Sequence, residues 1–144
     1  MQFALQRRDS GATVPPMGFV RRRGEGWSWD GVAPRAYAGG AERHVLVGAK
    51  DGATQVELRY FRIPAGGSSA LERHPHEHAV LILHGTALVQ LGEEVHAVRA
   101  GDAVFVGSDE VHQLRAGSDE PLGFLCTALV ARLEGGGAGS RSAR

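Results

Sequence analysis

From about residue 42 onward the chain runs as short apolar, β-branched stretches broken by glycine, aspartate and proline, with apolar and polar positions alternating at a period of two. Ala87-Leu88-Val89-Gln90-Leu91 and Glu94-Val95-His96-Ala97-Val98, joined through Gly92-Glu93, form the clearest hairpin pattern, with one face of each strand apolar. The same reading predicts strands over 44–48, 55–63, 69–74, 79–84, 86–91, 94–98, 102–106, 110–115 and 122–131, with a further turn at Ala100-Gly101-Asp102. No segment carries a helical period of useful length. Many short strands at regular spacing with turn residues between them indicate an all-β sandwich or barrel.

The flanks read differently. Residues 1–40 form an irregular N-terminal arm in which Pro15-Pro16 and Gly39-Gly40 interrupt any regular element. Trp27-Ser28-Trp29 alternates at strand spacing, and core packing or a partner subunit is expected to take up the rings. Residues 41–132 make the barrel, and residues 133–144 are expected to be a disordered tail of almost no apolar content. A chain of 144 residues supports one domain around one core.

Charge and cysteine content narrow the function. The net charge is zero and the pI about 7.1, and Arg7-Arg8 and Arg21-Arg22-Arg23 are the only basic clusters. A nucleic-acid partner is therefore not expected. No apolar run is long enough for a signal peptide or a membrane span, so a soluble cytoplasmic protein is expected. A single cysteine, Cys126, rules out an intramolecular disulfide and is compatible with a reducing compartment.

The chemistry concentrates in Glu72-Arg73-His74-Pro75-His76-Glu77-His78, where an acid and three imidazoles occupy alternate positions. Alternate residues of a strand project to one face, so part of this set can converge. Imidazole and carboxylate suit divalent metals such as Mn, Fe, Co, Ni and Zn. His112, on a later predicted strand, can complete the set from across a barrel. The competing reading is an exposed His-rich loop that binds nothing in particular.

The glycines around this run resemble the two motifs of the cupin superfamily. Gly66 is followed by five residues, Glu72-x-His74, three residues, His78, six residues and Gly85, which matches the spacing of the first motif. Gly101, five residues, Gly107-Ser108-Asp109, two residues and His112 match the second. The likeness covers roughly residues 55–130 and implies an all-β cupin barrel, the double-stranded β-helix or jelly roll. It also implies one divalent transition metal (Mn, Fe, Ni or Zn).

Two departures stand out. Glu72 takes the place of the family's first histidine and His78 that of its glutamate, so the three-His, one-Glu set is kept but permuted. A second register uses His76 in place of Glu72 and gives four histidines; the count from Gly66 favours Glu72, His74, His78 and His112. The second motif lacks its proline and terminal glycine. Gly107 can still supply an unusual backbone angle, and Asp109 tolerates a left-handed conformation.

Three further residues are candidates for the pocket. Tyr60 and Arg62 share a strand face and, if that face is interior, supply a phenol and an anion-binding guanidinium. Cys126 lies in an apolar strand, where a buried hydrophobe and an active-site thiol are both open. His44, His84 and His96 read as structural or solvated, and Gln113 should point away from His112.

Such a centre is expected to serve an enzyme acting on a small organic molecule. Dioxygenase or oxidative C–C cleavage chemistry is the first expectation, and an oxidoreductase the corresponding class. A non-redox isomerase, decarboxylase or polyketide cyclase is the alternative, and a non-catalytic small-ligand module a third. A homodimer formed through the N-terminal arm is also expected.

Overall fold

The computed structural model describes residues 17–130 and the backbone of Arg141–Ser142. The readings of Arg7-Arg8, of Pro15-Pro16 and of the tail at 133–140 and 143–144 lie outside the described residues. Two units divide at Asp30 and Gly31. In the first, Trp27 and Trp29 tilt against each other with centroids 6.3 Å apart, and the Arg23 guanidinium lies 4.9 Å from the Trp27 ring.

The second unit is antiparallel β throughout. Its strands are β1 (Arg35–Ala36), β2 (Glu42–Val47), β3 (Val56–Ile63), β4 (Glu72–Arg73), β5 (His78–His84) and β6 (Thr86–Leu91). They continue as β7 (Glu94–Arg99), β8 (Ala103–Val106), β9 (His112–Ala116), β10 (Leu122–Leu129) and β11 (Arg141–Ser142). A six-stranded sheet runs β1-β2-β3-β10-β5-β8 and a five-stranded sheet β11-β4-β9-β6-β7. This is the jelly-roll barrel that the strand count and the glycine frame predict. No helix among the described residues is long and apolar enough to cross a membrane.

Register decides which residues look inward. Phe61 pairs with Phe124, Arg59 with Cys126 and Cys126 with Val80, so these residues share one face of the large sheet. Phe61 and Phe124 stack at 5.3 Å, and Ile63, Ile82, Val89 and Leu122 are essentially sealed around them. Burying each such side chain contributes roughly 1.5–3 kcal/mol.

Two predicted strands shrink. The stretch expected at 69–74 is a strand only at Glu72–Arg73. The N–H of Leu114 donates to Ser69 Oγ (3.0 Å) instead of a neighbouring carbonyl, and Pro75 has no N–H to extend the ladder beyond His74. The strand expected from residue 110 starts at His112, because the turn before it is tight. Asp109 there takes a left-handed φ of 58° and donates its N–H to the His74 carbonyl at 2.7 Å. Gly107 does not need the unusual angle expected of it: its N–H donates to Glu110 Oε1 (3.1 Å), and Asp109 makes the left-handed turn.

Candidate metal centre

The short β4 places Glu72 directly opposite His112 of β9 in register. Just beyond β4, the loop through Pro75 turns the chain back so that His78, the first residue of β5, faces His74. Local structure thus gathers donors from two sheets. Glu72, His74 and His112 bring ligand atoms within 4.8 Å of one another, and so do His74, His76 and His78.

The backbone fixes how the imidazoles point. Nδ1 of His74 lies 2.9 Å from the His76 carbonyl, Nδ1 of His78 lies 3.1 Å from that of Thr127, and Nδ1 of His112 lies 2.9 Å from that of Glu110. A carbonyl can only accept, so Nδ1 is the protonated nitrogen of each ring in its neutral form, and Nε2 is turned toward the cluster as the ligand atom. His74 Nε2 and His78 Nε2 are only 3.0 Å apart. Two acceptors at that distance repel unless a cation lies between or beside them.

Protonation of His78 is a poor remedy. Burial lowers the His78 pKa to about 3, only partly offset by the Thr127 carbonyl. Burial likewise lowers that of His112 and, together with the neighbouring His74, that of His76. Neutral, inward-facing imidazoles beside a carboxylate fit one divalent transition metal.

His76 differs from the other three. Its ring stacks flat on that of His74, with centroids 3.6 Å apart and planes 2° from parallel, and it is less buried than His74, His78 or His112. Glu72, by contrast, is held: Tyr37 donates its hydroxyl to Glu72 Oε1 at 3.1 Å. Burial, with the Glu72 charge second, raises the Tyr37 pKa and keeps it a donor.

The cluster lies in a cavity of about 180 Å³ whose apolar walls include Phe61, Ile63, Val80, Val106, Leu114 and Phe124. Cys126 lines it too, with Sγ 3.2 Å from His78 Nδ1, and burial raises its pKa so that it stays a thiol. Tyr60 and Arg62 do not line it. They belong to the opposite face of β3, where Tyr60 is fully buried with its hydroxyl 2.6 Å from His84 Nε2. The interior positions are one residue out of phase, and Arg59 and Tyr37 supply the guanidinium and phenol. Arg59 shares its parity with the apolar Phe61 and Ile63, but Leu58 and Tyr60 give Arg62's face an equal claim, so the pattern did not single it out; Tyr37 belongs to no strand pattern and gave no signal.

The remaining histidines are placed as expected. His84 packs at Tyr60, His44 lies buried with its ring 5.3 Å from that of Tyr60, and exposed His96 pairs with Glu94 at 3.2 Å. Gln113 points away from the cavity and donates to the Ser69 carbonyl at 2.9 Å.

Comparison with known proteins agrees with this architecture. The Cupin_2 family, described as Cupin domain, matches residues 59–128. A cupin-2 domain from Rhodospirillum rubrum is 39% identical in sequence, with a TM-score of 0.68 over 78% of this chain and 79% of that one. A cupin 2 conserved barrel protein from Rhodopseudomonas palustris is 37% identical, with a TM-score of 0.70 over 79% and 82%. The 1-methylthio-D-xylulose 5-phosphate methylsulfurylase of R. rubrum is 44% identical over 76 residues, which are 53% of this chain and 49% of that protein. The chain thus spans about half the length of this curated relative.

That relative overturns one expectation. Its name describes sulfur-group chemistry on a methylthio sugar phosphate, not reaction with dioxygen, and the dioxygenase and oxidoreductase assignment is withdrawn. With the barrel, the motif spacing and these likenesses together, the chain belongs to the cupin family, as a small metal-binding domain of the cupin 2 type.

Proposed function

We propose that this chain is a metal-dependent enzyme that carries out non-redox chemistry on a small organic molecule, with Glu72, His74, His78 and His112 holding the metal. The observation that carries this reading is the convergence of ligand atoms, with Nε2 of His74 and Nε2 of His78 3.0 Å apart in a cavity with apolar walls. His76 stacks on His74 beside the set and is not a ligand in this reading. A divalent metal held there supplies Lewis acidity, polarising a carbonyl or enolate oxygen of the substrate.

The chain's own residues do the rest. The carbonyls of His76, Thr127 and Glu110 orient three imidazoles, burial keeps His78 and His112 neutral, and Tyr37 fixes the carboxylate of Glu72. Phe61, Phe124 and Val106 exclude water and strengthen every electrostatic contact inside. Cys126 serves as a thiol wall. The homodimer expected from the sequence through the N-terminal arm remains part of the reading; exposed Val56, Leu81, Phe105 and Leu129 on the outward face of the large sheet offer a separate apolar surface for it. A monomeric mass for the full chain in solution would remove that element.

The test is turnover under strict anaerobiosis. The protein, loaded in turn with Mn, Fe, Ni or Zn, is incubated with 1-methylthio-D-xylulose 5-phosphate and with simpler keto compounds, and products are followed by mass spectrometry. Metal-dependent conversion without oxygen is expected. Conversion only with oxygen uptake, or a purified protein that takes up no divalent metal, would refute the proposal.

A further inference from the structure

Arg59 is a cation in the wall of the cavity without an adequate acceptor. Its side chain is 12% exposed and its guanidinium lies 5.1 Å from the Phe61 ring centroid. Nη2 lies 3.5 Å from His78 Nδ1, but that nitrogen carries a proton for the Thr127 carbonyl and cannot accept another. This leaves Cys126 Sγ at 3.4 Å, a weak acceptor. On the other edge, buried Nε has no hydrogen-bond partner; the Glu57 carboxylate approaches it only to 3.6 Å.

Among the described residues, five donors fixed in a plane therefore meet one thiol and one loosely placed carboxylate. A buried guanidinium so poorly matched is costly. The cost is removed when a planar or tetrahedral oxyanion enters the cavity and takes the fork. Because Nη2 lies against His78 Nδ1, a single imidazole ring separates this cation from the Nε2 cluster. A molecule of a few carbons can span that gap.

We infer that Arg59 is the anion-recognition residue of the cavity, binding a carboxylate or phosphoryl group of a small substrate whose neighbouring oxygen faces the His74–His78–His112 cluster. This rests on the small-molecule reading of the same site and names the class of molecule: a short keto or hydroxy compound with one oxyanion. Cys126 and Phe61 position the guanidinium, while Glu57 offsets part of its charge in the empty cavity.

Calorimetric titration tests it, on metal-loaded and metal-free protein, with inorganic phosphate, pyruvate and neutral hydroxyacetone as probes. At least one anionic probe should bind wild type more tightly than hydroxyacetone. Arg59→Gln should weaken that binding at least about tenfold, Arg59→Lys less so, and hydroxyacetone should be unaffected. Metal content should be the same in all three proteins. Preference for phosphate over pyruvate, or the reverse, identifies which oxyanion the fork takes.

Two results would overturn the inference: Arg59→Gln binding the anions as tightly as wild type, or wild type showing no preference for them over hydroxyacetone. If Arg59→Gln does not fold, the Arg59→Lys affinities decide in the same way, because an unchanged value means the fork is not used. Anion binding that depends on Arg59 in a protein that takes up no metal would keep this inference and sink the metal reading.

Discussion

At the scale of single residues, the fourth position of the centre separates two side chains with different supports. Glu72 is fixed from both sides, by its register opposite His112 and by the Tyr37 hydroxyl. His76 is fixed by stacking on another imidazole. Tyr37→Phe should therefore lower metal affinity by roughly 10–100-fold, as for loss of an outer partner, and Glu72→Ala by more than that. His76→Ala should change it by less than about threefold. Competitive titration against a chromogenic chelator measures all three, and a large loss in His76→Ala with little in Glu72→Ala would select the four-histidine set.

Tyr60 makes a second residue-scale prediction. Burial raises its pKa to about 12 from 10.0, so the folded state holds the phenolic proton after an unfolded chain has lost it. A group raised on folding stabilises below its unfolded pKa and loses that contribution as pH climbs through the folded value. Wild-type stability should accordingly fall between pH 10 and about 12. Tyr60→Phe should show a shallower fall over the same window in urea melts, and an identical slope would rule out this role.

At the scale of elements, β10 carries a constraint that composition alone conceals. It pairs with β3 on one side and β5 on the other, and its register with β5 shifts between Gly123 and Phe124. His84 of β5 lies across Gly123, where an added Cβ would run into the imidazole Nε2. The absence of a side chain at Gly123 is what lets His84 reach Tyr60. Gly123→Ala must displace His84, break its 2.6 Å contact with the Tyr60 hydroxyl and leave that phenol buried. A loss of about 1–3 kcal/mol in unfolding free energy is expected, without loss of metal, since His84 is outside the cavity. Equal stability of Gly123→Ala and wild type would show that the β5–β10 register has slack.

The same elements show what was legible in advance. Period-two alternation located β5 and β6 almost to the residue, because one face of each is buried and the other wet, and it located β7 as the hairpin partner of β6 although most of β7 is exposed. The resemblance of the glycine frame to the two cupin motifs is what grouped His74, His78 and His112 in advance; alternation alone said only that part of the run could converge. Parity on β3 was not legible: Leu58-Arg59-Tyr60-Phe61-Arg62-Ile63 has bulky or charged residues on both faces, since Tyr60 is buried outside the cavity and Arg59 within it. Pattern alone could not choose between Arg59 and Arg62. Tyr37 was invisible for another reason, as only the folded path of the chain ahead of β2 brings its hydroxyl to Glu72. Reaction type lay furthest from the sequence pattern, because a donor set fixes what can be bound and leaves open what is done with it.

For the molecule as a whole, the centre couples chemistry to folding. The barrel brings Nε2 of His74 and Nε2 of His78 to 3.0 Å, and burial opposes protonation of His78, whose pKa falls to about 3. Folding without a cation therefore bears a repulsion that the unfolded chain escapes, and a divalent metal removes it. Metal binding to the native state alone adds RT ln(1 + [M]/Kd), about 2.7 kcal/mol at a free concentration one hundred times Kd. For a domain of this size that corresponds to a rise in Tm of roughly 7–11 °C. Calorimetric melts with excess Mn or Zn, and again after exhaustive chelation, should show this shift in wild type. His78→Leu should show almost none, because it removes both the ligand and the repulsion. A wild-type Tm indifferent to metal would mean that the imidazoles relieve their repulsion in some other way, and that the cavity is not a metal centre.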